Sequence, residues 1–576
     1  MLRRFLIVAA LAALLVSSAT AAVHRTRAAR QVSQTTTSEL MPGVTYTREV
    51  DFTPRGPVVL DVVTAPKPDG SLYRLAPVLG RDMLLGGEKL TDLEKRLSQT
   101  ATVVGVNGDF FNAATGVPSG IVVRAGALDK PPTATRSSLG IAADGTLSVG
   151  RVAFKGTWQG SGQRRSLDLD AAPVKGHATL YTPAYGPTTP SEGGVVEAVL
   201  GSFPAARANR PLTATVSQVR TSGLTPIPPG GAVLVARGKQ AQDLTAEAPA
   251  GQQVEVRLTL TPDWSGMTSA LGGGPLLVAK GKAVFDAKES FGASIVNNRA
   301  ARSAVGQLAD GRILLVTVEG SRPSYSLGMT SYELGVAMAR LGAVTAVGLG
   351  SGNPAGMAFD GTLLTRPSGA AEQPVGDALV LSYAGVYAAP PAAAVLSPNG
   401  DGVDDTETFT YKLVAPAHVV ASLAGPAGAS VQLAADDEQP GVHTLSWDGA
   451  GAAEGAWRFT VAATDSARTT SASRDFTLDD TLGALVVAKA GAGATASFQL
   501  TRAASVAVTV ERRNGIAVAT LLDGTLQPGA QTATWNGKGA DGKPVPAGGY
   551  RIHVAATSAV GRSELTVPFT FPLRRS

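Results

Sequence analysis

The stretch Val104-Gly105-Val106-Asn107-Gly108-Asp109-Phe110-Phe111-Asn112 decides how we expect the larger part of this chain to fold. Its apolar start is typical of a buried strand, and Asn107-Gly108 is a turn signal. The turn carries a carboxylate, two amides and two aromatic rings. We therefore predict a buried strand that ends in a group of polar residues.

Two later segments have the same character. Leu271-Gly272-Gly273-Gly274-Pro275-Leu276-Leu277-Val278 is a glycine-rich turn that enters an apolar strand, where missing side chains let a ligand or another backbone approach closely. The other segment runs from Arg302 through Glu319 and Arg322 to Met357, and it places two arginines and a carboxylate at strand ends. Each segment also has an ordinary explanation: turn chemistry for the glycines, core packing for the phenylalanines, and a surface ion pair for Arg302.

Residues 46–388 alternate short strand-like runs, such as Val58-Val59-Leu60-Asp61-Val62-Val63, with turn signals. Helices are few. Thr330-Ser331-Tyr332-Glu333 is a capping box ahead of apolar residues at helical spacing, and a second helix is expected over Thr91 to Gln99. The 67 glycines and 36 prolines favour short strands over long helices. We predict an α+β fold in which the main domain is β-rich with a few helices.

A Pro/Ala run at 389–394 indicates a linker, and the sequence beyond it contains an internal repeat. Trp447-Asp448-Gly449, followed by Gly455-Ala456-Trp457, corresponds to Trp535-Asn536-Gly537, followed by Gly548-Gly549-Tyr550. Each copy spans about 90 residues, a size typical of a β-sandwich. We predict two all-β immunoglobulin-like sandwiches, over 395–480 and 481–576.

Residues 1–21 have the three parts of a cleavable signal peptide: basic Met1-Leu2-Arg3-Arg4, an apolar run from Phe5 to Val16, and Ala19-Thr20-Ala21. The alternative is an uncleaved anchor, but the apolar run is shorter than the ~18 to 20 residues that span a bilayer. Residues 22–45 are polar and aperiodic, so we expect a flexible lead-in. The sequence thus predicts a secreted, extracellular or cell-wall-associated protein with no membrane span.

Composition excludes several classes of function. The chain has no cysteine, which excludes disulfides, thiolate zinc sites and a cysteine nucleophile and is typical of bacterial secreted proteins. The net charge of +5 is spread without a basic block, which argues against nucleic-acid binding. His177 is the one histidine in residues 46–388, and we expect it to be structural. A Ser-His-Asp triad or an HExxH site is therefore nearly excluded, and acid and base chemistry is left to carboxylates.

Taken together, the motifs of residues 100 to 385 resemble the phosphodiester glycosidase family, whose animal member removes N-acetylglucosamine from mannose phosphodiesters on lysosomal proteins. The matching stretches follow the family order: Asn107-Gly108-Asp109-Phe110-Phe111; Leu180-Tyr181-Thr182-Pro183-Ala184-Tyr185-Gly186; Gly272-Gly273-Gly274-Pro275-Leu276-Leu277; Arg302-Ser303-Ala304-Val305-Gly306; Glu319-Gly320 with Arg322; Ser326-Leu327-Gly328-Met329-Thr330 before Glu333-Leu334; and Arg366-Pro367-Ser368 with Pro374-Val375-Gly376-Asp377-Ala378-Leu379.

The chain departs from the family pattern at three places. Leu349-Gly350-Ser351-Gly352-Asn353-Pro354-Ala355-Gly356-Met357 stands where the family usually has Leu-Asp-Gly-Gly-Gly-Ser-Ser-Thr-Met, so that Gly350 replaces an aspartate. Glu319 stands where the family has a shorter carboxylate, and Asp109 where it commonly has a small residue. If the aspartate replaced by Gly350 binds substrate or does chemistry in the family, its loss implies altered specificity or lost activity.

The resemblance implies hydrolysis of a sugar-1-phosphodiester between the anomeric carbon and the phosphate oxygen, with no cofactor required. Because the phosphomonoester leaves readily, one carboxylate that activates water or attacks the anomeric carbon and one cation that holds the phosphate suffice for that reaction. Arg302 and Arg322 are the implied phosphate ligands, since a guanidinium matches two phosphate oxygens. The implied catalytic residues are Asp109, Glu319 and Arg302, and the implied contacts to a carbohydrate or phosphoglycan substrate are Asn107, Phe110, Phe111, Gly273, Gly274, Arg322, Ser351 and Asn353. A catalytically degenerate glycan-binding protein on the same scaffold is the alternative.

The C-terminal repeats resemble immunoglobulin-like modules of the flagellar-hook-cap type. Ser397-Pro398-Asn399-Gly400-Asp401-Gly402-Val403-Asp404-Asp405 opens the first module. Its spacing places Asn399, Asp401 and Asp405 as candidate oxygen ligands of a structural calcium ion. A polar turn without an ion is the alternative, since no bidentate glutamate follows at the expected distance.

Overall fold

The computed structural model describes residues 32–285, 287–399, 402–466 and 468–571. Strands make up 53% of it and helices 7%, so the prediction of a β-rich chain with few helices is confirmed. The predicted signal peptide at 1–21 lies outside the described residues. Within them, no helix has the length and apolar character needed to cross a membrane.

The main domain begins and ends with strands of two facing sheets, and a barrel is inserted between them. The elements before the barrel are β1 Val32–Met41, β2 Val44–Thr53, β3 Gly56–Ala65, β4 Tyr73–Leu79, β5 Glu88–Lys89, α1 Leu90–Leu97, β6 Thr102–Asn107, β7 Val122–Arg124, β8 Ala127–Lys130, β9 Ser137–Ala142 and β10 Leu147–Arg151. The barrel region consists of β11 Ala153–Gln159, β12 Arg165–Leu169, β13 Ala178–Tyr181, β14 Val195–Leu200, β15 Pro211–Arg220, β16 Ala232–Arg237, α2 Lys239–Glu247 and β17 Gln253–Thr261. The elements after it are β18 Met267–Gly272, β19 Leu276–Ala279, β20 Lys282–Ala283, α3 Ala293–Asn297, β21 Arg302–Leu308, β22 Ile313–Val318, α4 Ser331–Arg340, β23 Ala343–Ser351, β24 Met357–Phe359, β25 Thr362–Leu363, β26 Pro374–Val375 and β27 Asp377–Tyr383.

Two sheets enclose the core of the main domain. The larger sheet has the order β1-β2-β3-β22-β21-β23-β19-β20, and the smaller has the order β25-β24-β6-β27-β4. Val63, Leu315, Val104 and Leu379 pack together between them. Because β6 and β22 are buried along their whole length, their sequences are almost continuously apolar instead of alternating.

Helix α4 covers the other face of the larger sheet. Thr330 caps it: the threonine hydroxyl accepts a hydrogen bond from the Glu333 amide, while the Glu333 carboxylate accepts one from the Thr330 amide. The predicted capping box is confirmed. The second predicted helix, Thr91 to Gln99, is α1, which begins one residue earlier and ends at Leu97.

The prediction of a flexible lead-in over 22–45 is wrong for the part that the structure describes. Residues 32–41 form β1, which pairs antiparallel with β2 from Val32↔Phe52 to Met41↔Val44. The threonine-rich run has the branched side chains that suit strands, and the edge position leaves its polar groups in water. The polar, non-alternating sequence of residues 32–41 therefore belongs to an exposed edge strand.

Strands β11 to β17 close into a barrel with the order β11-β12-β13-β16-β14-β15-β17. Its interior is filled by apolar side chains, among them Trp158, Leu180 and Leu234. A five-stranded sheet of order β10-β9-β18-β7-β8 connects the barrel with the two large sheets. The sequence contained no signal that separated this barrel from the rest of the domain.

The C-terminal region contains two two-sheet units. The first consists of β28 Tyr387–Ala388, β29 Val395–Leu396, β30 Glu407–Leu413, β31 Ala417–Ala424, β32 Ser430–Glu438, β33 Gly441–Trp447, β34 Gly455–Thr464 and β35 Thr469–Leu478. The second consists of β36 Leu482–Ala490, β37 Gly493–Leu500, β38 Ala504–Arg512, β39 Ala517–Leu526, β40 Gly529–Trp535, β41 Gly548–Thr557 and β42 Arg562–Phe571. Each unit has its own apolar core between a three-stranded sheet and a second sheet of five or four strands.

Candidate active site

A row of polar residues crosses the larger sheet on the face that meets the smaller one. Arg48 of β2 pairs in register with Asp61 of β3, Asp61 with Thr317 of β22, and Thr317 with Ser303 of β21. Residues directly opposite one another in neighbouring strands point to the same face. The Ser303 hydroxyl donates to Asn107 Oδ1 of the smaller sheet at 2.5 Å, which shows that this face is the inner one.

One end of the row forms the group that we call the Arg48 cluster: Tyr46, Arg48, Asp61, Glu319 and Tyr325. Arg48 Nη1 lies 2.9 Å from Asp61 Oδ1, and Arg48 Nη2 lies 3.1 Å from Glu319 Oε1. Tyr46 donates to Asp61 Oδ1 at 2.7 Å, and Arg48 also donates to the Tyr325 hydroxyl. One guanidinium therefore bridges two carboxylates that lie 258 positions apart along the chain.

Both carboxylates of the Arg48 cluster are buried. Asp61 is 0% and Glu319 2% exposed, and among the described residues neither Asp61 Oδ2 nor Glu319 Oε2 has a hydrogen-bond partner. Burial, with a smaller contribution from the Glu319 carboxylate, raises the pKa of Asp61 to about 7 against the opposing effect of Tyr46 and Arg48. Asp61 is therefore protonated in mildly acidic solution and is suited to donate a proton.

Basic and aromatic side chains separate the Arg48 cluster from solvent. The Arg48 side chain is 26% exposed, and Tyr325 is half-buried. The Arg366 guanidinium lies 4.9 Å from the centroid of the Tyr325 ring, and its side chain is exposed. The Arg366 amide donates to Glu319 Oε1 at 3.0 Å. An anionic group arriving from solvent would meet Arg366 and Arg48 before the carboxylates.

Asn107 lies at the meeting point of the two sheets and is 1% exposed. Its Oδ1 accepts hydrogen bonds from Ser303 Oγ and from the Gly356 amide at 3.1 Å, and its Nδ2 donates to the Gly350 carbonyl at 3.0 Å. These bonds hold β6 against β21 and β23. Asn107 orients the walls of the site, and its amide is directed at protein groups.

Asp109 and Asp377 form a second buried carboxylate pair. Asp109 is 3% exposed, and its oxygens accept from the Phe110 and Gly120 amides at 2.7 and 2.5 Å. Asp377 Oδ1 accepts from the Asp109 amide at 2.8 Å. Burial raises the pKa of Asp109 to about 6, while burial and the Asp109 charge raise the pKa of Asp377 well above its ordinary value. The pair fixes the loop after β6 through backbone amides.

The aromatic residues after Asp109 lie at the surface of this loop. Phe110 is half-buried, and its ring centroid is 5.4 Å from that of Phe291. The Arg136 guanidinium lies 5.5 Å from the Phe110 centroid and 4.5 Å from the Phe291 centroid. Phe111 is half-buried and bridges to Pro118. Of the two, Phe110 is the ring placed beside further aromatic and charged groups.

Gly273 and Gly274 are buried where β18 passes into β19. A Cβ on Gly273 would lie 2.7 Å from the Gly348 carbonyl oxygen, and one on Gly274, whose φ is +112°, would lie 2.5 Å from Glu289 Oε2. Glycine is therefore required here by close packing of protein groups. The structure gives these two positions a packing role and no open face toward a ligand.

Arg302 and Arg322 both donate to backbone carbonyls. Arg302 is 4% exposed, and it reaches the carbonyls of Met329 and Ile295 at 2.5 Å each and that of Asn298 at 2.7 Å. Burial lowers the pKa of Arg302 to about 10. As the neighbour of inward-facing Ser303, Arg302 points to the opposite face of the sheet from Glu319. Arg322 donates to the carbonyls of Pro367 and Gly369 at 3.0 and 2.5 Å.

The segment after β23 is the third region implied by the resemblance. Ser351 is half-buried and pairs with Arg302 in the sheet, whereas Asn353 is exposed. Gly350 packs on the turn after β6: its amide donates to the Gly108 carbonyl at 2.8 Å. Of the predicted catalytic residues, the structure thus places Glu319 in the Arg48 cluster, while Asp109 and Arg302 lie in separate environments.

The calcium site stays a prediction, because Asp401 lies outside the described residues. Asn399 Nδ2 donates to Ser397 Oγ at 2.9 Å and to the Leu482 carbonyl at 3.0 Å. Asp405 Oδ2 accepts from the Gly402 amide at 2.7 Å. No group of three or more acidic, histidine or cysteine side chains suited to a metal occurs within the part of the chain that is described.

Sequence reasoning missed Arg48 and Asp61. A signal for Asp61 was present, since a single carboxylate interrupts the apolar run Val58-Val59-Leu60-Asp61-Val62-Val63. A charge at the centre of a buried strand needs a partner and is uncommon unless it has a function. Arg48 had no such signal, because it lies in the alternating strand β2.

The fold and the site together define a β-rich domain in which an arginine joins two buried carboxylates, followed by two all-β units of two sheets each. Comparison of the sequence with family models is more specific than the fold. Residues 194–382 match the family model described as phosphodiester glycosidase, and residues 484–559 match the one described as FlgD Ig-like domain. The resemblance inferred from the sequence is confirmed over these residues. Asn107 to Phe111 precede the matched stretch.

Solved structures are similar to a large part of the chain. A hypothetical protein from Synechocystis is 24% identical with a TM-score of 0.50, and the alignment covers 61% of this chain and 68% of that one, which shows a shared fold. A protein from Burkholderia pseudomallei K96243 is 19% identical with a TM-score of 0.49, over 61% and 96% of the two chains. The catalytic domain of zebrafish N-acetylglucosamine-1-phosphodiester alpha-N-acetylglucosaminidase is 13% identical with a TM-score of 0.32, over 61% and 87%. None of the curated proteins matches.

Proposed function

We propose that this chain is a secreted hydrolase that cleaves sugar-1-phosphodiester linkages in cell-envelope or extracellular glycans. The observation that carries the proposal is the Arg48 cluster, in which Arg48 bridges Asp61 and Glu319 and each carboxylate keeps one oxygen without a partner among the described residues. Similarity of residues 194–382 to phosphodiester glycosidases supports the same reaction class. The predicted signal peptide at 1–21 supports export.

In the proposed reaction the bond between the anomeric carbon and the phosphate oxygen breaks, and the phosphomonoester leaves with the bonding electrons. Water supplies the hydroxyl group that the anomeric carbon gains, and Glu319 accepts the second proton of that water. Asp61, with its pKa raised to about 7, donates a proton to the departing oxygen. The proton on Glu319 then returns to solvent, and Asp61 takes one up. The scheme uses no cofactor.

The phosphate is held at the outer side of the cluster in this proposal. Arg366 is exposed and Arg48 partly exposed, and a guanidinium matches two phosphate oxygens in geometry and charge. Because Asp61 and Glu319 are almost inaccessible, the Tyr325 or Arg48 side chain has to move aside when substrate binds. Arg302 takes the part of a positioning residue that fixes α3 through the Ile295 carbonyl.

Release of sugar from N-acetylglucosamine-1-phosphate methyl diester and glucose-1-phosphate methyl diester tests the proposal. We expect Glu319→Gln to lower kcat by at least about 100-fold, since a positioned base contributes 10²- to 10⁴-fold. Glu49→Gln is the matched control: Glu49 pairs with Arg340 on the opposite face of β2, and turnover should stay within about twofold. Wild-type protein that releases no sugar from either diester, or an unchanged kcat in Glu319→Gln, contradicts the proposal.

Glycan binding without turnover is the second candidate. Two observations favour it. The guanidiniums of Arg302 and Arg322, which the resemblance implies as phosphate ligands, are already hydrogen-bonded to backbone carbonyls. Gly350 also stands where the family usually has an aspartate. Calorimetric titration with the same two diesters separates the candidates. Saturable binding with no released sugar supports the second candidate.

A further inference from the structure

An aromatic pair stands exposed beside the N-terminal end of α4, away from the Arg48 cluster. Phe285 is 77% and Tyr332 41% exposed, and their ring centroids lie 5.2 Å apart with an angle of 75° between the rings. Val336, one turn further along α4, is 45% exposed. A phenylalanine so fully in water gains nothing for folding, and grouped exposed apolar side chains often mark a binding surface.

A small cavity lies at the foot of this pair, and three of the residues that line it, Glu289, Ser331 and Tyr332, carry polar groups. Phe285 and Tyr332 line it together with Ser331, Glu289 and Phe291, and its volume is about 40 Å³. Such a volume holds one water molecule or one hydroxymethyl group. Ser331 is 4% exposed, and its hydroxyl has no hydrogen-bond partner among the described residues. A buried hydroxyl without a partner is costly, and a ligand hydroxyl in the cavity would satisfy it once the Ser331 side chain, whose oxygen is inaccessible in this structure, rotates toward the cavity.

Fixed groups form the rest of the wall. Glu289 accepts hydrogen bonds from the Ser137 amide, the Ser137 hydroxyl and the Leu276 amide, each at 2.8 Å. Arg302 holds α3, whose Val296 also lines the cavity, through the Ile295 carbonyl. Phe291 connects the cavity with Phe110 at a centroid distance of 5.4 Å. The surface is therefore preorganised and continues toward the loop that carries Asp109.

We infer that Phe285, Tyr332 and Ser331 form a saccharide-binding subsite for a pyranose ring of a glycan chain. A pyranose presents a face of C–H groups, which packs on aromatic rings, and hydroxyl groups at its rim, which need polar partners. The exposed rings of Phe285 and Tyr332 offer the surface on which the C–H groups pack. The Ser331 hydroxyl, beside a cavity of hydroxymethyl size, offers a polar partner for a sugar hydroxyl. A protein partner would use the rings but would have no need of that cavity.

The subsite specifies the substrate class of the proposed function. Leu334 of α4 packs with Leu60 and Ala304, on the face of the larger sheet opposite to Asp61. A ring bound at Tyr332 therefore belongs to a different part of the glycan from the linkage at the Arg48 cluster. If the proposed function is correct, the substrate is therefore an oligosaccharide or polymer longer than a single sugar phosphodiester. Only this conclusion about the substrate rests on the proposed function.

A glycan array bearing hexose, N-acetylhexosamine and sugar-phosphate oligosaccharides is the first experiment, followed by calorimetric titration of the strongest ligand. We expect Phe285→Ala and Tyr332→Ala each to raise Kd by about tenfold. Ser331→Ala should raise it by about threefold. Phe52→Ala is the matched control, since Phe52 is 47% exposed on β2 and has no part in the subsite, and its Kd should stay within about twofold. Each variant should keep the thermal midpoint of the wild type.

The outcomes separate this inference from the proposed function. Glu319→Gln should bind the array ligand as tightly as wild type while its kcat falls by at least about 100-fold, so loss of turnover alone leaves the subsite standing. Absence of any array ligand, or an unchanged Kd in Phe285→Ala and Tyr332→Ala, overturns it. A change of molar mass in light scattering on Phe285→Ala, without a change in glycan affinity, would instead make this surface a contact between copies of the chain.

Discussion

Asp61 shows how one residue ties the chemistry of the site to the stability of the domain. It lies in the apolar strand β3, where it is 0% exposed, and Arg48 and Tyr46 supply its charged and hydrogen-bonding partners. Burial favours the neutral carboxyl more than these partners favour the charged one, so its pKa rises to about 7. The same proton that would be transferred in catalysis is therefore linked to folding.

Asp61→Asn should flatten the dependence of the free energy of unfolding on pH. The raised pKa means that the folded protein keeps a proton on Asp61 between pH of about 4 and 7 that the unfolded chain releases. The linked stabilisation is complete below pH of about 4 and is lost as pH rises through 7. Between pH 5 and 8 the free energy of unfolding of the wild type should fall by about 2 kcal/mol more than that of the variant.

Urea denaturation at the two pH values measures this difference. Asp523→Asn is the control, because Asp523 is an exposed aspartate of β39 and its loss should leave the pH dependence as in wild type. Asp109 and Asp377, whose pKa values are also raised, act in the same direction and remain in every variant. An equal slope in Asp61→Asn and wild type would show that Asp61 is charged in the folded state.

At the scale of elements, the close crossing of β23 over the end of β6 shapes the site. Gly350 lies on this crossing, and a Cβ there would stand 2.9 Å from Asn107 Nδ2 and 2.9 Å from the Asp109 carbonyl oxygen. The turn after β6 therefore approaches β23 more closely than any side chain at 350 allows. Asp109, which the family pattern does not contain, stands on that same turn.

Gly350→Asp should destabilise this chain instead of restoring a family site. Forcing a side chain against packed backbone typically costs about 1 to 3 kcal/mol. Gly356→Ala is the matched control, since its nearest neighbour would be Thr365 Oγ1 at 3.5 Å and its free energy of unfolding should change by less than about 0.5 kcal/mol. Urea denaturation of both variants checks the expectation, and a Gly350→Asp protein with wild-type stability and higher turnover would refute it.

For the whole molecule, the contact between the main domain and the first C-terminal unit is polar and specific. Lys412 of β30 is 6% exposed and donates to both oxygens of Asp360 at 2.7 Å and to the Ala101 carbonyl at 3.1 Å. Arg474 of β35 pairs with Glu39 of β1 at 3.2 Å. The edge strand β1 thus contributes to docking as well as to the sheet.

Lys412→Ala should loosen this contact and lower stability by about 1 to 3 kcal/mol, because the Asp360 carboxylate and the Ala101 carbonyl lose a charged donor. We expect faster cleavage in the 389–394 segment during limited proteolysis and an earlier first transition in scanning calorimetry. Lys489→Ala, at an exposed position of β36, is the control and should match wild type. Identical cleavage rates for all three proteins would mean that Lys412 does not hold the two parts together.

Local signals in the sequence predicted local structure well. The capping box at Thr330 specified the start of α4, and glycine-rich turns with short apolar runs indicated a β-rich chain, because caps, turns and strand periodicity depend on neighbouring residues. The repeat around Trp447 and Trp535 indicated two similar units in the same way. The family motifs likewise depend only on order along the chain.

What the sequence by itself determined is therefore the class of fold, the order of the domains and the similarity to phosphodiester glycosidases. Only the tertiary structure decided which polar groups meet. Arg48, Asp61 and Glu319 come together through the register of β2 and β3 and the end of β22, and Arg302 is separated from them because neighbouring residues of a strand point to opposite faces. Register between distant strands is set by packing of the whole core, and no short stretch of sequence contains that information.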